Sequence, residues 1–189
     1  MTNKETRKLA RQKINEGKSH QETFEELLQE TKKPAEGIAK IVRFIPTLEN
    51  RRKYKTVQTI LIIVLALTIL IKMAAGLSIV MEKGIHWSPI IFLLPIINIA
   101  LLYGVATYQG QYYRLVVILS IFSLINGLLN TAGEAFDPLI LIDLGIAGVL
   151  IGLGIYLNAK MVSKCQTIKE KYLDQEGEPQ LRKRIEMLD

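Results

Sequence analysis

The sequence predicts an all-α protein: a four-helix transmembrane bundle with a small N-terminal helical cytoplasmic head and a short helical C-terminal tail. Three observations lead there. Charge is segregated, since residues 56–157 hold three of the 24 Lys and Arg, whereas residues 1–55 hold 14. Four apolar segments, at about 57–77, 87–108, 112–132 and 138–158, reach the roughly 20 residues a helix needs to cross the hydrocarbon layer. Residues 1–50 are polar, with helix formers punctuated by capping and breaking residues. The expected divisions are a basic head over 1–54, a membrane domain over 55–158 and a basic tail over 159–189.

Within the head, Thr6 to Glu16 are good helix formers, and Gly17 suits the position just past a helix end. Ser19 with Glu22 three residues on is a capping-box pattern, and the helix it opens carries Phe24, Leu27 and Leu28 on one face. Pro34 suits the start of a third helix, in which Ile38, Ile41, Val42 and Ile45 recur at amphipathic spacing. Pro46 ends that run, and a further helical stretch from Thr47 leads to the membrane. A core this small is marginal alone and calls for support from the membrane or a partner. The second helix, the turn Thr31-Lys32-Lys33 and the basic third helix have a helix-turn-helix layout, with Lys40 and Arg43 as phosphate contacts. Any three-helix head shares that layout, and nucleic acid is not the expected partner.

The basic flank Arg51, Arg52, Lys53 and Lys55 precedes the first span. Short connectors, 82–86, 109–111 and 133–137, make successive spans antiparallel neighbours. Arg114 follows the second connector, and Lys160 and Lys164 begin a tail with seven basic residues. By the positive-inside rule both termini are cytoplasmic, as in a bacterial inner-membrane protein. Tyr54, Trp87, Tyr108, Tyr112, Tyr113 and Tyr156 fall at span ends, where amphipathic rings prefer the interface. No secretory signal pattern occurs in the first 50 residues, so the first span is expected to direct insertion. The tail is expected to continue the fourth span as a helix from Lys164 to Leu173. A last helical stretch then groups Leu181, Ile185 and Leu188, lying on the inner leaflet, packed on the head or solvated.

Ionisable groups inside spans are costly, by about 2.5–3.5 kcal/mol on insertion scales, so Lys72 and Asp143 stand out. Both lie five residues from the outer end of their spans, at a similar depth, and could form an ion pair. Ser123, Asn126 and Asn130 share one face of the third span, and Asn98 is near the middle of the second. Together these six residues form an intramembrane polar cluster, serving either an outward-facing pocket or interhelical hydrogen bonding. In the fourth span Gly145, Gly148, Gly152 and Gly154 permit close helix packing, within one chain or across a homo-oligomer.

Catalytic signatures are lacking. The histidines, His20 and His86, fall in different compartments of this topology, and one Cys with two His supplies no metal set, so no cofactor is expected. Cys165, the single cysteine, excludes an internal disulfide and is a free thiol or an acylation site. INEGKSHQETFEELL (Ile14–Leu28) followed by IPTLENRRKYK before the first span resembles uncharacterised bacterial four-span membrane proteins with a short helical cytoplasmic head. That resemblance implies no transferable activity. The leading expectation is a non-enzymatic anchoring, scaffold or accessory protein in the lipid bilayer, its head binding a cytoplasmic protein through residues 1–50 or the inner leaflet. The alternatives are a small oligomeric transporter or channel component using the polar cluster, and a membrane-tethered helix-turn-helix DNA binder.

Overall fold

The computed structural model describes residues 1–83, 88–131, 138–173 and 179–188. The side chains of 79, 82–94, 130–140 and 170–183 lie outside the description. Its order is α1 (Asn3–Asn15), α2 (His20–Glu30), α3 (Ala35–Val42), α4 (Leu48–Lys53), α5 (Lys55–Lys83), α6 (Ser88–Ala106), α7 (Gln111–Thr131), α8 (Pro138–Met161), β1 (Lys164–Leu173) and β2 (Pro179–Leu188). The chain forms two compact units, one from Met1–Arg52 with Lys160–Asp189, the other from Lys53–Ala159. Residues 82 and 83, expected to begin the first connector, belong to α5, whereas 84–86 of that connector and 133–137, with His86 and Trp87, fall outside the described residues.

In the first unit each helix is punctuated by local chemistry. Two capping boxes, Thr2 with Glu5 and Ser19 with Glu22, satisfy the first backbone N–H groups of α1 and α2. The Thr2 box starts α1 three residues before the Thr6 expected from helix formers alone. Gly17, at φ 95°, ends α1. Its N–H donates to Ile14 O at 3.1 Å and that of Lys18 to Lys13 O at 3.3 Å, a pair of bonds that requires the left-handed backbone glycine tolerates best. Between α1 and α2, Lys13 donates to Glu26 and Glu30 at 2.6 and 2.7 Å, and Lys18 also reaches Glu26. The buried His20 ring places Nε2 2.8 Å from Ile45 O, holding the chain beyond α3.

The tail corrects the sequence expectation. Residues 164–173 and 179–188 form an antiparallel two-stranded hairpin, with Lys164 opposite Leu188 and Leu173 opposite Pro179, and no helix. The second strand contains two competing patterns. Leu181, Ile185 and Leu188 suit a helix, but Ile185 and Met187 alternate with Arg184, Glu186 and Leu188. The period of two prevails, for Met187 is buried and Ile185 half-buried while their neighbours are exposed. Thr167, Ile168 and Tyr172 give the first strand its β-branched and aromatic content. Met187 enters the core made by Ala10, Ile14, Phe24, Leu27, Ile38, Ala39, Val42 and Ile45. Its N–H donates to Gln21 Oε1 at 2.8 Å, the Ser163 N–H to Arg43 O at 3.1 Å, and the Ser163 hydroxyl to Leu188 O at 2.8 Å. The tail is therefore part of the head.

In the second unit three helices are long and apolar enough to cross a membrane, over Lys55–Ser78, Gln111–Leu129 and Leu141–Met161. The described part of the remaining helix, Pro95–Ala106, is a shorter apolar stretch. Buried positions follow alternating steps of three and four: Leu61, Leu65 and Thr68 on α5; Leu101 and Val105 on α6; Tyr113, Val116 and Ser120 on α7; Ala147, Leu150, Gly154 and Leu157 on α8. That 3.5-residue period is the seam of side-by-side helix packing. Opposite faces expose Ile63, Leu70, Phe122, Leu129 and Ile155, apolar surface of the kind lipid covers. The turn between α6 and α7 holds Tyr108 at φ 56°, a left-handed residue accepted because the Gln109 and Tyr108 N–H groups cap α6 at Gly104 O and Val105 O, both at 3.0 Å.

The head's charges set a pH window. Lys13 and Lys18 hold the Glu26 carboxyl below its ordinary 4.5, a stabilisation present above that value and lost as pH falls through the lowered one. The Glu26 and Glu30 carboxylates raise Lys13 above 10.5, a contribution present below that value and lost as pH rises through the raised one. Hydrogen-exchange protection of α1 and α2, corrected for intrinsic rates, is expected to be flat near neutrality and to fall towards both extremes. Lys13→Met should remove the alkaline decline.

Candidate functional site

The candidate site lies inside the second unit, where the helix seams turn polar. Along α5 the inward side runs through Gln58, Leu61, Leu65 and Thr68, all buried, to the half-buried Lys72. The α6 seam carries Asn98 before Leu101, α7 continues from Ser120 to Ser123, and α8 starts at Asp143 before Ala147 and Leu150. These polar residues share one cavity of about 310 Å³, lined from all four helices by Thr68 and Lys72, Asn98, Ser120, Ser123 and Asn126, and Asp143. Leu65, Leu101 and Leu150 close its apolar side, and the exposed residues Ile97, Phe122 and Asn126 form its rim. The volume lies at the lower end of small-molecule sites, equal to the liquid share of about ten waters.

Sequence reasoning selected Lys72, Asn98, Ser123, Asn126 and Asp143, and the fold brings these five together. The Asn130 side chain lies outside the described residues. Thr68 and Ser120 were missed, although counting steps of three and four from Leu61 and Val116 reaches both. Lys72 and Asp143 do not form a direct pair, for the described residues show no contact between them within 4.0 Å. The Ser123 hydroxyl is 3.5 Å from Asp143 Oδ2, long for a hydroxyl donating to a carboxylate. Asp143 thus retains acceptor capacity, and Lys72 faces the same space from another helix. The Thr68 hydroxyl donates to Val64 O at 2.8 Å within its own helix. Near the start of α5, Gln58 is buried and donates to Val105 O at 2.7 Å, tying α5 to α6.

The glycines of α8 divide by face. A side chain at Gly154 would meet Val117 Cγ2 at 2.7 Å and Tyr113 O at 3.3 Å, so α7 and α8 approach closely there. Gly145, Gly148 and Gly152 have nothing within 4 Å and sit on the exposed side of the helix. Packing within the chain thus uses Gly154 and leaves the Gly148/Gly152 pair open.

Basic residues from the sequence analysis take different places. Arg51 is committed to the head, donating from Nε to Pro46 O at 3.0 Å and from Nη1 to Asn15 Oδ1 at 2.9 Å. Arg52, Lys53, Lys55, Lys160 and Lys164 are exposed, and Lys53 lies over the Tyr54 ring at 5.7 Å. Tyr54 packs edge to face on Tyr156, with centroids 6.0 Å apart. Arg114 donates to Asn158 Oδ1 at 3.2 Å across α7 and α8. In the head, the Arg43 guanidinium lies over Phe44 and reaches Cys165 Sγ at 3.8 Å, leaving Lys40 as the exposed member of the two suggested phosphate contacts. Among the described residues no group of three His, Cys, Asp or Glu side chains could hold a metal ion. Comparison with protein-family models, curated proteins and solved structures gave no match.

Two opposite charges that line one cavity are coupled even without touching. Lys72→Asp places two carboxylates there and is expected to lower detergent-extracted protein and its melting temperature. Adding Asp143→Lys is expected to restore most of both. Measured across the mutant cycle, the coupling should lie within the roughly 0.5–3 kcal/mol of residues sharing a cavity, and simple additivity would show that the two sites are independent.

Proposed function

We propose that this chain is a four-span membrane protein with both ends in the cytoplasm, and that its head, built from both ends, docks an anionic cytoplasmic protein at the membrane without chemistry of its own. The observation that carries the reading is Met187 in the core of the N-terminal helices. A chain whose flanks share one core returns to the side it left, so the crossings between them are even in number. Three helices have the length and apolarity to cross. An even count then adds α6, whose apolar sequence from Trp87 to Tyr108 supplies the length. The basic excess of both flanks favours the cytoplasmic side.

Docking of an anionic partner is supported by how the head uses its carboxylates. Glu5 and Glu22 serve as caps, Glu26 and Glu30 bind Lys13, and Glu25 lies 4.0 Å from Arg184. Lys8, Lys32, Lys40 and Arg52 remain exposed, leaving a surface of net positive sign. The nucleic-acid reading is weaker, since Arg43 is engaged by the chain's own tail. A second reading, a small oligomeric transporter or channel component, is favoured by the four-helix polar cavity. Affinity purification of the full chain in mild detergent at low salt should recover a cytoplasmic protein. Lys32→Glu with Lys40→Glu, both on the surface, should lose that protein while the head stays folded. Recovery of no partner would contradict docking and leave the solute-binding reading.

A further inference from the structure

We infer that the cavity among α5, α6, α7 and α8 is a binding site for a small zwitterion, whose anionic group meets Lys72 and whose cationic group meets Asp143. The inference rests on the solute-binding reading and is independent of docking by the head. Its starting point is two full charges of opposite sign on different helices, lining one space without touching each other. Both are half-buried, and in the proposed membrane setting such charges, held away from water, need compensation by pairing or by a ligand. The partner that Asp143 has, Ser123 at 3.5 Å, is too distant to satisfy a carboxylate. Lys72 has no hydrogen bond or ion pair among the described residues.

A ligand carrying one charge would compensate one side and leave the other. A zwitterion compensates both at once, and the volume of about 310 Å³ admits a molecule of amino-acid size. The remaining polar lining fits the same ligand. Asn98 and Asn126 supply amide donors and acceptors, and Ser120 and Ser123 supply hydroxyls, so a carboxylate or ammonium finds hydrogen bonds besides its counter-charge. Leu65, Leu101 and Leu150 would contact the ligand's carbon chain. The exposed rim at Ile97, Phe122 and Asn126 offers entry.

The test is thermal unfolding of the purified full chain in nanodiscs with glycine, β-alanine or γ-aminobutyrate, which separate the two charges by increasing lengths. Acetate and methylammonium serve as single-charge probes, with sodium chloride and phosphate as salt controls. At least one zwitterion is expected to raise the melting temperature saturably by several degrees, while acetate and methylammonium, separately or mixed, do not. Lys72→Met and Asp143→Asn should each remove the zwitterion's shift. The wild-type panel decides the matter if either variant fails to accumulate. An equal shift with a single-charge probe would overturn the zwitterion while keeping a solute site. No shift with any probe would overturn both.

Discussion

The contact on which the rest depends is small: one methionine of the C-terminal strand, 4% exposed, in the core of three N-terminal helices. The head helices are short, and a domain of their size has too little apolar area to be secure alone. The hairpin adds Met187 and Ile185 to that core and covers α2 and α3 with hydrogen-bonded backbone. It also makes the chain's two ends interdependent, because neither completes the core alone. On the proposed membrane reading this has a topological consequence that no local feature could supply, for the polypeptide between the two flanks would return to its starting side.

The second unit answers a different constraint. In the proposed membrane setting, helices gain little by hiding apolar side chains from one another, so packing and polar contacts would hold them together. Close approach at Gly154 and the Gln58 bond to Val105 O fill those roles. The 3.5-residue seams would be complete with Leu, Val and Ala. Instead they change to Lys, Asp, Asn and Ser around one cavity, a substitution that costs stability on insertion scales. Such a cost, concentrated in one place on four helices, is the physical case for a site. Scattered polar residues joining helices pairwise would not need a shared space.

Much of this was legible in the sequence, and for identifiable reasons. Lys72, Asn98, Ser123, Asn126 and Asp143 stand out because an ionisable or amide group inside an apolar span is conspicuous. Thr68 and Ser120 do not, because a hydroxyl in a helix can be satisfied by its own backbone. The Ser19–Glu22 box and Gly17 declared the α1–α2 turn through local chemistry alone. The hairpin was hidden because the head surface it packs on is distant in sequence, Gln21 lying 166 residues from Met187, and a ten-residue strand can fit both periods. Gly148 and Gly152 match a packing motif, yet the helix phase set by Ala147, Leu150 and Leu157 places Gly154 at the contact. Spacing names a face, whereas only the neighbours decide which face is used.

The central claim, that both flanks share one side of the membrane, is tested most directly by sided labelling. Cys165 is exposed and is the chain's single cysteine, so a membrane-impermeant maleimide reports on the C-terminal flank without mutation. Lys4→Cys in a Cys165→Ser background reports on the N-terminal flank. Both positions are expected to resist the reagent in intact cells and to react in inverted vesicles. Labelling of residues 4 and 165 from opposite faces would mean an odd number of crossings and would contradict the claim.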